Sequence, residues 1–217
     1  MKINRRKAIT QLGIGSGMAM LPNIACSEPT KTSEMPKKQA LKGNINHSVS
    51  RWCFNDIPLE EFCEICKDIG IKSIELTVAE EWPILAKYGL TCAMATHNAS
   101  LTEGFNNPDL HQSLYQPHID MIDAAAEAGL KNVICFSGNR NGMDDEVGLE
   151  NCAKGLDKIV KHAATKGITV AMELFNQIDH PDYMCDSTEW SVKLVDKIRS
   201  DHFKILYDIY HLSLIHI

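Results

Sequence analysis

The stretch Ala-Thr-Lys-Gly-Ile-Thr-Val-Ala-Met-Glu, residues 164–173, contains the pattern that decides the fold. An amphipathic run ends in Lys166, Gly167 follows it, and an apolar segment rich in β-branched residues then continues to Glu173. Glycine accepts the left-handed conformation that ends a helix, and the apolar residue after it leads the chain into a buried strand. The stretch therefore predicts a helix followed directly by a strand.

The same pattern occurs four times along the chain, at Asp68–Ile71, Lys87–Leu90, Glu127–Leu130 and Thr165–Ile168. A repeated order of helix and strand predicts a parallel sheet. With the apolar runs beside these glycines, the sequence predicts five helices and six strands, the strands at Ile45–Val49, Ser73–Leu76, Thr91–Ala95, Asn132–Phe136, Thr169–Leu174 and Lys204–Asp208. The fifth helix, around Trp190–Ile198, is expected to have Asp186 and Glu189 at its N-terminal cap.

The predicted fold class is α/β, and two arrangements of the sheet are compatible with the pattern. One is a barrel of parallel strands, and the other is an open doubly wound sheet. No glycine-rich phosphate loop of the G-x-G-x-x-G or Walker type follows the first strand. This absence favours the barrel, although the doubly wound sheet stays open on pattern alone.

Charge is distributed unevenly along the 217 residues, whose formal net charge is −6. Residues 1–26 contain four basic residues and no acidic residue, which leaves 18 basic against 28 acidic residues in the remainder. So acidic a body is a poor match to a phosphate backbone, and we expect no nucleic-acid partner. A hydrophobic fraction of 44% is that of an ordinary globular chain.

The first 26 residues are typical of an export signal. Arg5 and Arg6 precede a short, glycine-containing apolar run, which resembles a twin-arginine leader read by the twin-arginine export machinery. A basic N-terminus without a targeting role is the alternative. Cys26 lies in a sequence similar to a lipoprotein cleavage box and is a candidate lipid anchor. Residues 27–43 predict a flexible linker. From the leader we expect an exported, periplasmic protein, either free or anchored in the membrane.

Two acidic residues stand out at the ends of predicted strands. Glu173 ends the fifth predicted strand, and Asp208 ends the sixth. A carboxylate in an apolar strand is costly to bury unless it meets a cation or a hydrogen-bond donor. Because carboxyl ends of adjacent parallel strands converge, these carboxylates are expected to form an oxygen site for Mg²⁺ or Mn²⁺. The alternative is that each acid pairs with a lysine or caps the following helix.

Four short motifs together carry a family resemblance. They are Asp208-x-Tyr210-His211, Met172–Leu174, the run Phe-Ser-Gly-Asn-Arg-Asn-Gly at residues 136–142, and Ile-Asn-His-Ser-Val at residues 45–49. The chain from about Gly43 to His211 resembles hydroxypyruvate isomerase-like proteins of the sugar phosphate isomerase/epimerase group, the xylose isomerase-like barrels. The resemblance implies a TIM (β/α)₈ barrel with its active site at the carboxyl ends of the strands.

The resemblance also implies a bound divalent metal, with Mn²⁺ or Mg²⁺ expected. Glu173 and Asp208 would be two of four metal ligands, with a His or Gln from a seventh strand and a Glu from an eighth completing the set. The implied reaction moves a carbonyl by one carbon, between hydroxypyruvate and tartronate semialdehyde, through an ene-diolate. A bound cation stabilises the negative charge that forms on the two oxygens, while two glutamates act as base and acid.

Further site residues are expected from their positions and from the resemblance. Glu173 is the candidate for one catalytic glutamate, and His211 would steady a substrate oxygen. Arg140 could bind a substrate carboxylate or form an ordinary ion pair. Glu75, at the end of the second strand, and His97, after the third, are expected in the substrate pocket.

The body at residues 44–211 is shorter than the roughly 250 residues of a complete barrel. The pattern covers five βα units and a sixth strand, and residues 212–217 depart from the family. We therefore expect a barrel truncated after about the sixth strand, without the last two ligands and the second glutamate. Such a chain would be inactive by itself, and a homo-oligomer is possible because barrel bottoms often pair.

Three functions remain open at this point. The first is a metal-dependent isomerase or epimerase acting on a small hydroxy-carbonyl acid or a keto-sugar. The second is a lyase of the same barrel type, such as an inosose dehydratase. The third is a non-catalytic sugar-binding barrel. An endonuclease is disfavoured because that site needs many histidine ligands and a basic DNA-binding face.

The cysteines are expected to act as small hydrophobic residues. Cys63 and Cys66 have C-x-x-C spacing but lie within the first helix pattern, and no second pair completes a zinc site. Cys53, Cys92 and Cys135 fall in or beside predicted core elements, as does Cys152. No disulfide framework is predicted.

Overall fold

A computed structural model describes residues 43–216 of the chain, with side chains up to Ile215. The predicted export signal and nearly all of the predicted linker therefore lie outside the described residues. The strands are β1 Ser48–Ser50, β2 Ser73–Glu75, β3 Asn132–Cys135, β4 Thr169–Glu173 and β5 Phe203–Leu206. The helices are α1 Leu59–Ile69, α2 Trp82–Lys87, α3 His111–Glu127, α4 Asp145–Lys166, α5 Thr188–Ile198 and α6 Ile209–His216, with 3₁₀ turns at Arg51–Phe54 and Pro108–Leu110.

All strand pairs in the described residues are parallel. Strands β1 and β2 form one sheet, and β3, β4 and β5 form a second in that order. Neighbouring strands follow each other in sequence, with a helix between them, as in successive βα units of a (β/α)₈ barrel. The predicted α/β class and barrel-type order are therefore confirmed, over part of a barrel.

The segment at residues 91–95 links the two sheets but is not the regular strand that the sequence predicts. It makes isolated parallel bridges to β2 and β3, through hydrogen bonds such as Ile74 N to Thr91 O and Ala95 N to Asn132 O, both 2.9 Å. Between these bridges the Asn132 side-chain amide, and not a strand N–H, donates to Ala93 O at 3.0 Å, while Met94 O accepts from Leu76 N at 2.8 Å and from the Cys92 thiol at 3.2 Å. The parallel order is thus continuous from β1 to β5.

Glycines end the helices as predicted. Gly70 has φ 88° after α1, and Gly167 has φ 68° after α4. The predicted N-terminal cap of α5 is wrong, because Ser187 is the capping residue and accepts a hydrogen bond from Trp190 N at 3.2 Å. Asp186 instead pairs with Arg140.

The core lies between the sheets and the helices that cover them. It contains buried residues of β2 to β5 and of α1, α3, α4 and α5, including Ile74, Val133, Leu156, Met172 and Leu194. Six of the cysteines, including Cys92, Cys135 and Cys152, are buried as predicted, whereas Cys53 is exposed because it lies in the 3₁₀ turn after β1. Within residues 43–216, no helix combines the length and apolarity needed to cross a bilayer.

Two loops at the carboxyl ends of the strands pack backbone against backbone. Phe105 N donates to Phe136 O at 3.2 Å, and Asn106 N to Ser137 O at 2.9 Å. At this contact, a Cβ on Gly104 would lie 2.3 Å from Gly138 N and 2.3 Å from the carbonyl carbon of Ser137. Only glycine fits at residue 104, so the close approach that fixes both loops depends on it.

We predict that Gly104→Ala lowers the free energy of unfolding by about 2–3 kcal/mol, because the methyl group forces the two backbones apart. Gly142→Ala is the matched control. A Cβ at Gly142 meets nothing within 4 Å, so the control loses only the cost of its positive φ, about 1 kcal/mol. Urea unfolding followed by circular dichroism measures both, and equal losses would contradict the proposed packing.

Candidate functional site

Three side chains meet where β4 and β5 end. Glu173 is the last residue of β4 and pairs with Leu206 of β5. Asp208 comes two residues after Leu206, so both acids lie at the same edge of the sheet. Each of Glu173, Asp208 and His211 offers one ligand atom, and these atoms lie within 4.8 Å of one another. His211 Nε2 is 4.0 Å from Asp208 Oδ2. The structure therefore brings together the predicted metal ligands and the predicted catalytic histidine.

The two carboxylates lie close together without a cationic side chain between them. Burial, followed by the negative charges of Asp208 and Glu75, raises the pKa of Glu173 to about 8. In the part of the chain that the structure describes, neither Glu173 nor Asp208 forms an ion pair with a lysine or arginine. The pair thus presents oxygen donors that suit a divalent cation, and a bound cation would favour the ionised form of Glu173.

Asp208 also caps the helix that follows it. Its Oδ1 accepts hydrogen bonds from Tyr210 N at 2.7 Å and from His211 N at 3.4 Å, at the start of α6. The alternative of helix capping is thus present in the structure. Capping occupies Oδ1, whereas Oδ2 is the oxygen nearest His211 Nε2. One carboxylate can therefore fix the helix and still present an oxygen to a ligand.

His211 is held in a buried, mostly aromatic environment. Its ring centroid lies 4.6 Å from that of Phe175 and 5.2 Å from that of Tyr210. Its Nδ1 lies 2.8 Å from the side-chain nitrogen of Asn176. Burial lowers the pKa of the His211 imidazole, although the nearby charge of Asp208 opposes the shift. Burial therefore favours the neutral imidazole.

Two predicted pocket residues lie outside the three-residue group. Glu75, at the end of β2, accepts a hydrogen bond from Ser48 Oγ at 2.8 Å and contributes to the raised pKa of Glu173. His97, just after the bridging segment, contacts the buried His118 of α3 with its Nε2 3.2 Å from His118 Nδ1. Glu75 is thus part of the same acidic environment, whereas His97 belongs to a histidine pair.

Arg140 is engaged in an ion-pair network. Its Nε lies 3.0 Å from Asp145 Oδ1, its guanidinium lies 2.9 Å from Asp186, and Nη1 donates to the carbonyl of Tyr183. Asp186 is buried and also accepts from Gln177 at 2.9 Å. The structure therefore places Arg140 between the loops after β3 and β4, which favours the ion-pair alternative over the binding of a substrate carboxylate.

Tyr183 is a supporting residue that the sequence does not single out. Its buried hydroxyl donates to the backbone carbonyl of Glu173 at 3.1 Å and accepts from Ser137 N at 3.0 Å. It thereby fixes the end of β4, from which the Glu173 side chain extends. Nothing in the local pattern around Tyr183 indicates this role, because both of its partners are distant in sequence.

Comparisons with known proteins agree with this fold. A sequence model of the xylose isomerase-like TIM barrel family matches residues 62–216. A search of curated proteins gives no significant match. Three similar solved structures are an AP endonuclease of family 2 from Brucella melitensis, a D-psicose 3-epimerase from Clostridium cellulolyticum H10 with D-tagatose, and the IolI protein with a bound zinc atom.

These structures are distant in sequence and agree over most of the chain. Their identities are 17%, 14% and 14%, and their TM-scores are 0.68, 0.64 and 0.65, in the order given. The matches cover 77%, 78% and 77% of this chain and 70%, 65% and 64% of the three relatives. This chain therefore spans about two thirds of their length, and the likeness establishes the fold.

We predict that Glu173→Gln and Asp208→Asn each weaken Mn²⁺ binding to the full-length protein by at least about tenfold. Substitution of residues that only support metal ligands already lowers metal affinity by about 10–100-fold, and the loss of a ligand should cost at least as much. Asparagine at residue 208 keeps the oxygen that caps α6. Electron paramagnetic resonance of free Mn²⁺ measures the affinity. Asp157→Asn is the control, an exposed acid of α4 paired with Lys161. Equal affinity in all four proteins would contradict the site.

The buried histidine pair predicts a pH-dependent stability. Burial lowers the pKa of His118 to about 4, and the charge of His97 acts in the same direction. The unfolded chain, with a histidine pKa of about 6.5, binds a proton that the folded chain does not bind between these values. The free energy of unfolding therefore falls as the pH falls from about 6.5 towards 4, by up to about 1.4 kcal/mol per pH unit from this histidine.

His118→Phe keeps an aromatic ring beside Phe105, whose centroid lies 5.0 Å from that of His118. Urea unfolding at about pH 5 and about pH 7.5 compares the two proteins. We expect the wild type to lose more stability than the variant over this interval. An identical loss would show that His118 titrates in the folded chain as it does in the unfolded chain.

Proposed function

Because the chain belongs to the xylose isomerase-like TIM barrel family, we propose that it is the metal-binding part of an isomerase or epimerase that acts on a small hydroxy-carbonyl compound. The reaction removes a proton beside a carbonyl group and returns it to a carbon of the same molecule. Sugar isomerases and epimerases of this barrel type provide the general class, whereas the substrate is argued below from the site.

One observation carries the proposal. Glu173 and Asp208 hold carboxylate oxygens within 4.8 Å of each other at the carboxyl ends of adjacent strands, and no lysine or arginine in residues 43–216 neutralises them. A purely structural pair of acids would be expected to recruit a cationic side chain. The raised pKa of Glu173, caused by burial and then by Asp208, reflects the missing positive charge.

The donor set fits a divalent cation. Glu173 and Asp208 would hold it through their oxygens, and Mn²⁺ or Mg²⁺ matches such hard ligands. When bound, the cation supplies positive charge that stabilises negative charge on the substrate oxygens and favours the ionised form of Glu173. The chain's own residues then have to orient the substrate and move its proton.

Glu173 is placed to move that proton. Its carboxylate accepts the proton from the carbon beside the carbonyl, and the electron pair of that C–H bond becomes the double bond of an ene-diolate. Glu173 can return the proton to the former carbonyl carbon, and the isomerisation is complete when the hydroxyl proton on the neighbouring carbon has moved to the former carbonyl oxygen. His211 would steady an oxygen of the substrate, because its buried ring is fixed by Phe175 at 4.6 Å. An epimerisation would need a second group on the opposite face of the substrate.

Two substrate chemistries are compatible with this step. One is a hydroxy-keto acid of the hydroxypyruvate and tartronate semialdehyde type, and the other is a neutral keto-sugar. The structure favours the keto-sugar, because Arg140, the cation expected to bind a carboxylate, already pairs with Asp145 and Asp186. The acidic environment of Glu173, Asp208 and Glu75 also repels an anionic substrate. One similar structure holds D-tagatose, a sugar of this neutral class.

A nucleic-acid substrate is less compatible with the site. One similar structure is named an AP endonuclease, but the present chain has a net charge of −6. Glu75 and Asp179 add further negative charge around the candidate centre. Like charges would oppose the approach of a phosphate backbone.

The proposed compartment supports the same choice of substrate. We propose that residues 1–26 direct the chain to the periplasm, with Cys26 as the candidate lipid anchor. Hydroxypyruvate is chiefly an intracellular metabolite, whereas sugars are available outside the cytoplasm. The proposed export therefore also favours a keto-sugar.

The test is deuterium incorporation into substrate by the full-length protein. With Mn²⁺ in D₂O, we expect deuterium to enter D-tagatose or D-fructose at a carbon beside the carbonyl, and to enter hydroxypyruvate more slowly. Glu173→Gln should abolish the exchange, because glutamine cannot accept the proton. Nuclear magnetic resonance follows the loss of the proton signal.

Glu189→Gln is the matched control, since it removes an exposed carboxylate that pairs with Lys193 in α5. Exchange that persists in Glu173→Gln would overturn the assigned base. Loss of water from the substrate would instead identify a dehydratase. Sugar binding that is unchanged by metal removal, without exchange, would identify a binding protein.

A further inference from the structure

Asn176 is a fully buried polar residue three positions after Glu173. It lies in the loop after β4, and it contacts His211 from a distance of 35 residues in sequence. Its side chain and its backbone N–H both point at the imidazole. Because every polar atom of a buried amide needs a partner, its contacts define its orientation.

The orientation of the Asn176 amide is fixed by backbone donors. Its Oδ1 accepts hydrogen bonds from Ile178 N and Asp179 N, both at 2.9 Å. A backbone N–H can only donate, so the atom facing these two groups must be the oxygen. The nitrogen Nδ2 therefore faces the opposite way, 2.8 Å from His211 Nδ1 and 3.1 Å from Asp179 Oδ2.

This orientation determines which nitrogen of His211 carries the proton. Nδ1 faces two donors, the Asn176 side chain at 2.8 Å and the Asn176 backbone N–H at 3.3 Å. It must therefore hold a lone pair and accept. A neutral imidazole has one N–H, so the proton of His211 is on Nε2. That nitrogen lies on the side of Asp208.

We propose that Asn176 is a positioning residue that holds His211 in the Nε2–H tautomer, so that His211 donates a hydrogen bond to a substrate oxygen instead of binding the metal. The inference rests on the proposed function in that it assigns a donor to the same site. A nitrogen that carries a proton has no lone pair for a metal. Only the two carboxylates of the three-residue group would then be metal ligands.

A second acid completes the positioning. Asp179 Oδ2 accepts from Asn176 Nδ2 at 3.1 Å and from the Tyr210 hydroxyl at 2.6 Å. The Tyr210 ring contacts His211 with a centroid distance of 5.2 Å. The amide, the acid and the tyrosine therefore bracket the imidazole, and His211 cannot rotate to exchange its nitrogens without breaking these contacts.

The proposal also predicts metal preference. Imidazole nitrogen favours Zn²⁺, whereas carboxylate oxygen favours Mg²⁺ and Mn²⁺. With His211 excluded as a ligand, the described part of the site presents hard oxygen donors. A change that moves the proton to Nδ1 would expose the Nε2 lone pair to the metal and shift the preference towards Zn²⁺.

The double variant N176D/D179N makes that change without altering net charge. The carboxylate at residue 176 accepts the proton of His211 Nδ1, and this charged hydrogen bond outweighs the longer contact of Nδ1 with the backbone N–H of residue 176, which is 3.3 Å in the wild type. The new amide at residue 179 donates to that carboxylate and to the Tyr210 oxygen. D179N alone is the matched control, because it leaves the Asn176 donor in place. All measurements use the full-length protein labelled with ¹⁵N-histidine.

Long-range ¹H–¹⁵N correlation spectra distinguish the two tautomers by their nitrogen shifts and cross-peak patterns. The His211 signals are identified by their absence in His211→Gln. We expect an Nε2–H tautomer in the wild type and in D179N, unchanged on addition of Mg²⁺, and an Nδ1–H tautomer in N176D/D179N. The ratio of Zn²⁺ to Mg²⁺ affinity should rise at least about tenfold in the double variant.

An Nδ1–H tautomer in the wild type, or a tautomer that does not change in a folded double variant, would overturn the proposal. If the double variant does not fold, the wild-type spectrum alone still shows which tautomer His211 adopts. The test is independent of turnover. A chain that shows the expected tautomer but exchanges no substrate deuterium would contradict the proposed function and leave the positioning role intact.

Discussion

The close approach of two partly buried acidic side chains is the constraint around which this part of the molecule is organised. Glu173 and Asp208 extend from the ends of adjacent strands because β4 and β5 are parallel and in register, with Glu173 opposite Leu206. Burial and mutual repulsion raise the pKa of Glu173 to about 8. Strand geometry alone brings these charges together, and it is the surrounding loops that hold them in place.

The loops after β3 and β4 are held together by direct contacts between them. Arg140 joins them through Asp186, and Tyr183 connects Ser137 to the backbone of Glu173. Gly104 allows a third loop to pack against them at backbone distance. The site thus consists of a rigid pair of acids on strand ends and a histidine whose surroundings are fixed by the loop from Asn176 to Tyr183.

The elements that could be predicted from sequence are those with local causes. Gly70 and Gly167 mark helix ends because their conformation is a property of the residue, and Glu173 and Asp208 stand out because an acid interrupts an apolar strand. The contact between Asn176 and His211 could not be found this way, since an asparagine after a strand usually indicates a turn. The sequence alone does not decide the role of Arg140, because only the packing of the loops brings it to its partners, Asp145 and Asp186.

We infer that Glu173 and Asp208 together bind a divalent cation while His211 remains a hydrogen-bond donor. Anomalous diffraction at the manganese edge, from crystals of the full-length protein soaked in Mn²⁺, tests it most directly. We expect a peak within about 2.0–2.6 Å of an oxygen from each carboxylate, with His211 Nε2 outside that distance. A peak bound by His211, or no peak between the two carboxylates, would contradict it.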